Sequence, residues 1–484
     1  MSQFSRRRFL QDSLLASAAT AVAALPAIQA EAEERRPTTG ANDRLSVAVI
    51  GVNGRGTSHL AAFSDAGRYN TEVTYICDAD EAVGQKRVAE IAKKQEHAPR
   101  FVQDLRKVFD DPNVDIVSIA TPNHWHALAA IWAMQADKDV YLEKPVSHNV
   151  SEGRRVVETA RKHKRICQTG TQCRSAGGTI AAIDYVQSGK IGQVKVARGL
   201  CYKRRDSIGP KGTYTVPATV DYNLWLGPAP QKQPGRQRFH YDWHWFWDYG
   251  NGDLGNQGIH QMDIARWGLG LPGLCQSVFS YGGRFGYEDA GETANTQTIV
   301  HDYGDKQLVF EVRGLPTDAL RGAKVGVIFE GSEGFVVLTS YEAGAALDRD
   351  GKLITAFKGN GDHFANFVDA MRSRRREDLR AEIEEGHLSS ALCHLGNIAY
   401  RLGSAAPMGE VRERLKDHAG ATADFDRLAR HLADQKVPDT TLMQFGPPLE
   451  FESAVERFVN NSPADAMLTR EYRQPFVVPS TGEV

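Results

Sequence analysis

From residue 45 onward, short β-branched runs alternate with stretches whose apolar residues recur at helical spacing. Residues 45–50 (LSVAVI) read as a buried parallel strand. A helix follows residue 56, a strand covers 73–77, and another helix starts near Glu81. Residues 105–109 read as a helix, 114–120 (VDIVSIA) as a strand, 126–135 as a helix and 140–142 as a strand. A helix at 150–163 and a strand at 165–169 follow. Such alternation predicts a doubly wound parallel sheet, in which ligands bind beyond the carboxyl ends of the strands. Further on, 275–281, 296–301, 307–312 and 324–338 read as strands and 363–375 and 382–402 as helices. The Pro-rich end, from about Gln444, reads as a surface wrap.

The residues after each strand carry the candidate chemistry. After the first comes Gly51-Val52-Asn53-Gly54-Arg55-Gly56, spaced G-x-x-G-x-G. Glycines here permit a tight turn and let the backbone approach a pyrophosphate at a helix N-terminus, whose N–H groups and dipole favour anions. Asp78 ends the second strand, 22 residues past Gly56. A carboxylate there accepts hydrogen bonds from adenosine ribose hydroxyls and repels a 2′-phosphate, which predicts NAD rather than NADP. The alternative is a surface Asp capping the next helix. Thr121-Pro122-Asn123-His124-Trp125-His126 follows the strand at 114–120, and Glu143-Lys144-Pro145 follows the strand at 140–142. Thr169-Gly170-Thr171-Gln172 closes the strand at 165–169, with Arg174 beyond.

The chain has 484 residues, 41% hydrophobic and 24% charged, an ordinary composition for two or three globular domains. With 58 basic and 60 acidic side chains the formal charge is −2, which supplies no basic field for nucleic acid. Six cysteines without a CxxC pair point to small core residues, not to a zinc ribbon or redox motif. The N-terminus changes the picture. Ser5-Arg6-Arg7-Arg8-Phe9-Leu10 precedes an uncharged, Ala- and Leu-rich stretch over 13–30. A charged n-region, an apolar h-region and a small-residue end make residues 1–30 a secretory signal, and the arginine pair before Phe-Leu resembles the twin-arginine type. Its Ser, Thr, Pro and Gln make it a poor membrane span. Residues 31–43 read as a polar linker. The expectation is a periplasmic protein exported already folded.

The glycine turn, the acid after the second strand, TPN-x-x-H and EKP stand in the order of the Gfo/Idh/MocA family of NAD(P)-dependent oxidoreductases. The resemblance covers nearly all of the chain from residue 45 on. It implies an α/β protein with an N-terminal Rossmann domain (44–168), a C-terminal α/β domain (169–444) and a C-terminal extension (445–484). The second domain is expected to hold a large open, mostly antiparallel sheet that serves substrate binding and a homodimer or homotetramer contact. The resemblance assigns cofactor contacts to Gly51, Asn53, Gly54, Arg55, Gly56, Asp78, Thr121, Asn123, His126, Glu143, Lys144 and Gln172. In the family the EKP lysine lies between nicotinamide and substrate, which makes Lys144 catalytic. An ammonium near a carbinol holds the reacting hydroxyl and favours the developing alkoxide. Pro145 is expected to follow a cis bond.

Residues 239–249 (FHYDWHWFWDY) contain nine aromatic or histidine side chains. Sugar C–H faces pack on aromatic faces. The segment therefore reads either as a carbohydrate wall, with Tyr241 and Trp243 as contacts, or as core of the second domain. Asn256 and His260 stand i,i+4 and share a face if helical. The family shows D-x-x-x-H here. His260 matches the histidine, the natural proton acceptor near neutral pH. Asn256 replaces the aspartate, so a plain Asp–His relay is lost while a hydroxyl can still be held. Asp263 reads either as a group that orients His260 or as a helix cap or salt-bridge partner, and Arg174 is a candidate substrate contact. His387, His394 and Asn397 recur at helical spacing but complete no metal site.

Three functions remain. The first is an oxidoreductase on a sugar, cyclitol or related polyol, with His260 as base. The second is a redox-neutral glycosidase or lyase that oxidises a hydroxyl transiently, outside the usual two-carboxylate scheme. The third is a non-catalytic sugar or nucleotide module, which Lys144 together with His260 disfavours. Export adds a constraint: no diffusible NAD pool serves turnover outside the cytoplasm, so the cofactor is expected to be loaded inside and held tightly.

Overall fold

Six of the β-branched runs pair side by side. The strands β1 (Leu45–Ile50), β2 (Thr71–Cys77), β3 (Arg100–Val102), β4 (Ile116–Ile119), β5 (Asp139–Leu142) and β6 (Cys167–Thr169) form one sheet in the order β3-β2-β1-β4-β5-β6. Every neighbouring pair in it is parallel. The computed structural model describes residues 43–418 and 420–484. The signal expected at 1–30 and nearly all of the linker lie outside the described residues.

The strands of this sheet are apolar on both faces because both faces are covered. Along β1, Val47 and Val49 pack toward α1 (Gly56–Phe63), whereas Ala48 and Ile50 pack toward α3 (Asn123–Gln135), with α2 (Glu81–Ile91) lying between these helices in sequence. α4 (Val150–Lys162) joins the α3 side. Edge strand β3 has no counterpart among the strands placed from the sequence. Its three residues are too short for a period and none is fully buried. Strand order reverses between β1 and β4, which opens a crevice at their carboxyl ends.

The second half supplies α5 (Gly177–Gln187), α6 (Ile259–Leu269), α7 (His363–Ser373) and α8 (Ile383–Arg401). It also builds an eleven-stranded sheet. The strands are β7 (Val194–Cys201), β8 (Ser277–Gly283), β9 (Thr296–Asp302), β10 (Gln307–Arg313), β11 (Val325–Gly331), β12 (Gly334–Leu338), β13 (Ala343–Asp348), β14 (Leu353–Lys358), β15 (Ser404–Pro407), β16 (Leu442–Glu452) and β17 (Arg457–Phe458). Only β7 and β10 pair in parallel; their other neighbours are antiparallel. Period-two burial shows in β10: Leu308, Phe310 and Val312 join the core shared with α6 and α8, and Val309 joins the opposite face, under α9 (Met408–Arg414) and α10 (Ala421–Asp434).

Three expectations need correction. The run at 324–338 is not one strand but the hairpin of β11 and β12, turning at Ser332 and Glu333. The chain from Gln444 is not merely a surface wrap, because β16 sits between β8 and β15. Its Pro447 and Pro448 fall at the register shift between Gly446 and Leu449, where the ladder with β8 is already interrupted and a missing N–H costs nothing. Beyond it, Phe476 and Val478 are buried in the core of the first sheet. Finally, the second half does not stop at its own sheet: α7 packs under β1 beside α1, and Ile383 of α8 enters the core around α3. All six cysteines are buried and unpaired. Among the described residues no helix is long and apolar enough to cross a membrane.

Candidate functional site

The crevice is a cavity of about 390 Å³, walled on one side by the loops after β1, β2, β4 and β5. The other wall comes from the second half: the aromatic segment, a single π-turn at Leu254–Gly258, and the start of α6.

The glycine turn is fixed by backbone crossings. Gly51 has φ +82°, and a Cβ there would lie 2.7 Å from the Ala120 carbonyl and the Thr121 nitrogen. A Cβ on Gly56 would lie 1.9 Å from the Gly51 oxygen, whereas Gly54 has open space around it and lines the cavity. No side chain caps the first turn of α1. Asp78 lines the cavity and accepts from the Val52 N–H at 2.8 Å and the Asp80 N–H at 3.0 Å. Burial raises its pKa and these N–H groups oppose the shift. Each carboxylate oxygen keeps a further lone pair for a ligand. Thr121 Oγ1 and Gln172 Oε1, also at the cavity, are buried without a hydrogen-bond partner. A glycine cradle, an uncapped helix start, an acid after β2 and two orphaned polar atoms fit a dinucleotide.

Several assigned cofactor residues line the cavity and also brace its wall. Glu143 is buried and accepts from Arg55 Nε at 2.7 Å and His59 Nε2 at 3.2 Å. Burial opposes its ionisation, but His59, Arg55 and Lys144 together hold its carboxyl well below the usual range. Arg55 and Glu143 thus satisfy each other at the cavity edge. His126 reaches the cavity, yet its Nδ1 lies 2.5 Å from the Pro145 carbonyl and its Nε2 2.7 Å from that of Thr121. It ties two loops together and keeps no ring nitrogen for a ligand. Asn123 Nδ2 donates to Asn251 Oδ1 at 2.9 Å, joining the two halves.

Lys144 precedes a cis bond to Pro145. Its Nζ lines the cavity and donates to the backbone oxygen of Asn256 at 2.5 Å. The π-turn presents that carbonyl, an irregularity frequent at functional sites. Burial lowers the lysine's pKa, with Glu143 opposing. Asn256 and His260 both line the cavity, as their spacing predicts. Burial and then Lys144 push the His260 pKa down to about 3, so the ring is neutral. Its Nδ1 faces Cys173 Sγ at 3.9 Å.

Asp263 takes the salt bridge that was one of its alternatives, and Arg174 is its partner. Arg174 is not among the residues lining the cavity and binds Asp263 through Nε and Nη2 at 2.8–3.0 Å, and Glu385 at 2.9 Å. Asp263 accepts from Ser389 as well and does not touch His260. A fully buried carboxylate needs a paired cation, and that need claims Arg174.

The aromatic segment divides between the cavity and a core. Tyr241 and Trp243 line the cavity, whereas Phe239, Trp245, Phe246 and Tyr249 pack into a core of their own with Trp225. Arg236, 1% exposed, sits in that core with its guanidinium 4.5 Å from the ring centres of Trp225 and Phe239. This region forms a strap over the Asp78–Asp80 side of the cavity that was not legible in the sequence. Thr219 Oγ1 donates to Asp80 Oδ1 at 2.6 Å, His240 Nε2 meets Asp80 Oδ2 at 2.9 Å, and Asp221 N–H donates to the Ala79 carbonyl at 2.8 Å. Trp125 Nε1 donates to the Leu224 carbonyl at 2.9 Å. Leu224, Trp225 and His240 line the cavity. The C-terminal segment holds the strap from behind: Arg473 donates to the Gly227 carbonyl at 3.0 Å, and Phe476 packs edge-on against Trp125. The only hint in the sequence is the second acid of Asp78-Ala79-Asp80. Among the described residues no group of three or more His, Cys, Asp or Glu side chains could hold a metal ion.

Residues 45–171 match the oxidoreductase family model for an NAD-binding Rossmann fold, and residues 208–432 match its model for a C-terminal alpha/beta domain. The alpha-N-acetylgalactosaminidase of Shewanella oneidensis is 28% identical over 209 residues, 40% of this chain and 45% of that protein. The levoglucosan dehydrogenase of Pseudarthrobacter phenanthrenivorans is 27% identical over 243 residues, 49% of this chain and 54% of that protein. The chain thus spans about half the length of the curated relatives it matches. The crystal structure of the WlbA dehydrogenase of Bordetella pertussis in complex with NADH and UDP-GlcNAcA superposes with a TM-score of 0.54 at 18% identity, over 73% of this chain and 95% of that one, a likeness of fold. On two matched domains in the expected order, the chain belongs to the Gfo/Idh/MocA oxidoreductase family.

Proposed function

We propose that the protein is an exported NAD-dependent enzyme that oxidises a carbinol carbon of a sugar, cyclitol or related polyol and retains its cofactor between turnovers. The observation that carries this reading is the Lys144 ammonium, anchored on the Asn256 carbonyl in the cavity that the glycine turn and His260 share. A nicotinamide nucleotide bound along the turn supplies the hydride acceptor. Lys144 donates to the carbinol oxygen and stabilises the alkoxide as it forms, and His260 receives the hydroxyl proton. The Asn256 amide holds a neighbouring hydroxyl, and Tyr241 and Trp243 offer faces to the sugar ring. The names of the levoglucosan dehydrogenase and the alpha-N-acetylgalactosaminidase support a carbohydrate substrate. Retention is supported by the strap latched on Asp80. Export rests on the arginine pair and apolar stretch before residue 31, and a homo-oligomer on family membership.

Asp78 favours NAD over NADP. Asp78→Ala is expected to weaken NAD binding about tenfold, the loss of a charged hydrogen-bonding pair to the ribose, and to narrow the preference between the two dinucleotides. Titrating cofactor-free protein with each checks this; equal affinity of the unaltered protein for NADP rules the preference out.

A second reading, a redox-neutral glycosidase or lyase, is favoured by the relative named for N-acetylgalactosamine release and by the strap. A cofactor that cannot leave must return to its starting state in each cycle. The two readings separate when purified protein is mixed with glycosides and nicotinamide absorbance and sugar release are followed together. Net reduction is expected for the oxidoreductase, and release without net reduction for the glycosidase. A response in neither channel sinks both.

A further inference from the structure

His244 lies in the 3₁₀ turn Asp242–Trp245 and lines the same cavity as Lys144 and His260. Its surroundings fix which ring nitrogen is free. Nδ1 lies 2.5 Å from the Tyr241 carbonyl oxygen, which only accepts, so Nδ1 carries the proton. The ring is neutral: burial pushes its pKa down to about 3, with Lys144, Arg205 and Lys203 adding to the shift. Nε2 therefore holds a bare lone pair, for which no hydrogen bond is found among the described residues, and the side chain is part-exposed at the cavity. The imidazole is also held still. It stacks on Trp243 with ring centres 3.7 Å apart at 20°, and a Cβ on Gly250 would lie 2.5 Å from the His244 oxygen. A fixed tautomer on a stacked ring that lines a reaction cavity and keeps an unpartnered Nε2 lone pair is the geometry of a general base. Oxidation of one carbinol needs a single acceptor, and His260 fills that role. A second one has work to do only if a second proton is removed.

We propose that His244 Nε2 removes the carbon-bound proton next to the ketone in the redox-neutral reading, and the inference rests on that reading. The C–H bond breaks, its electron pair forms the enolate double bond, and Lys144 stabilises the enolate oxygen. The enolate then expels the glycosidic substituent by breaking its C–O bond, and the departing oxygen takes a proton at the open mouth of the cleft. A keto glycoside becomes an unsaturated ketone plus an alcohol, with one proton lost from carbon, one gained by oxygen and no net oxidation. Protonated His244 and the enolate form together, so the new negative charge offsets part of the cost of charging a ring that burial, and then nearby cations, keep neutral.

The step is tested without hydride transfer by supplying a 4-nitrophenyl 3-keto glycoside to the purified protein in deuterium oxide. Deuterium incorporation beside the carbonyl is read by NMR and nitrophenol release by absorbance. Both are expected in the unaltered protein and are expected to fall about a hundredfold or more in His244→Gln. His244→Asn keeps an N–H for the Tyr241 carbonyl but has no Nε2, and it is expected to fall equally while keeping its tryptophan fluorescence. Undiminished exchange in a folded His244→Asn protein overturns the proposal. So does loss of exchange in His260→Gln with His244→Asn unaffected, or no exchange in the unaltered protein. Reduction of bound nicotinamide by a glycoside reports on the oxidative reading separately.

Discussion

Lys144→Ala is expected to lower turnover about a thousandfold while the purified protein still carries nicotinamide. Among the residues that line the cavity, Lys144 and Arg55 are the only lysine or arginine, and Glu143 claims Arg55. The ammonium is thus the one cation there not matched to a carboxylate partner. It is aimed by the Asn256 carbonyl, and burial lowers its pKa, which brings proton exchange with a carbinol oxygen closer to working pH. Positioned acid–base groups contribute roughly 10²–10⁴ in rate and a single donor to a developing oxyanion roughly 10²–10³. One group serving both roles sets the expected loss. The dinucleotide phosphates, in contrast, are assigned in the proposed reading to the glycine turn and the uncapped start of α1. Lys144→Arg is expected not to rescue, since a guanidinium stays protonated and cannot exchange a proton. Nicotinamide absorbance of the purified variant and its kcat on a sugar or polyol that the unaltered protein turns over make the check. Turnover within tenfold of the unaltered protein ends the role assigned to this lysine.

What could be read from the chain alone was whatever backbone or local spacing dictates. The Gly51 turn, the acid after β2 and the shared face of Asn256 and His260 each depend on residues close in sequence, and each sits at the cavity. Arg174 shows the opposite case. A cation after a strand suits a substrate, but its role is decided by Asp263, 89 residues away, whose burial no local pattern announces. His126 and Asn123 line the cavity, but partners from other loops engage both His126 ring nitrogens and the Asn123 amide nitrogen, and no local pattern announces those partners. The strap was illegible because its latch joins Asp80 to Thr219 and His240, 139 and 160 residues apart. The aromatic run read two ways because one short segment supplies both cavity lining and core, and Trp243 belongs to both. His244 was hidden by the same crowding. Only the carbonyl beside its ring shows which nitrogen is free.

Gly56→Ala is expected to cost both stability and cofactor, and comparison with Gly54→Ala tells turn geometry from phosphate contact. The Cβ added at 56 would lie 1.9 Å from the Gly51 oxygen, which is backbone and has no rotamer to yield. Gly51 cannot retreat either, because it already lies against the Ala120 carbonyl with φ +82°. Relief therefore requires α1 to move off the sheet. That movement opens the core of Leu60 and Phe63 against β1, and overpacking of this kind costs about 1–3 kcal/mol or more. It also carries the helix N-terminus away from the pyrophosphate, so NAD affinity is expected to fall about a hundredfold, a loss of roughly 2.7 kcal/mol. At 54 nothing lies within 4 Å, so alanine there leaves the cofactor-free protein as stable as the parent and weakens only NAD binding, by crowding the phosphates. Urea unfolding of the cofactor-free proteins, paired with NAD titrations, distinguishes the two. Equal unfolding midpoints for both variants would mean that the turn tolerates a side chain at 56, and the close crossing of Gly51 and Gly56 would then not be what sets the shape of the dinucleotide cradle.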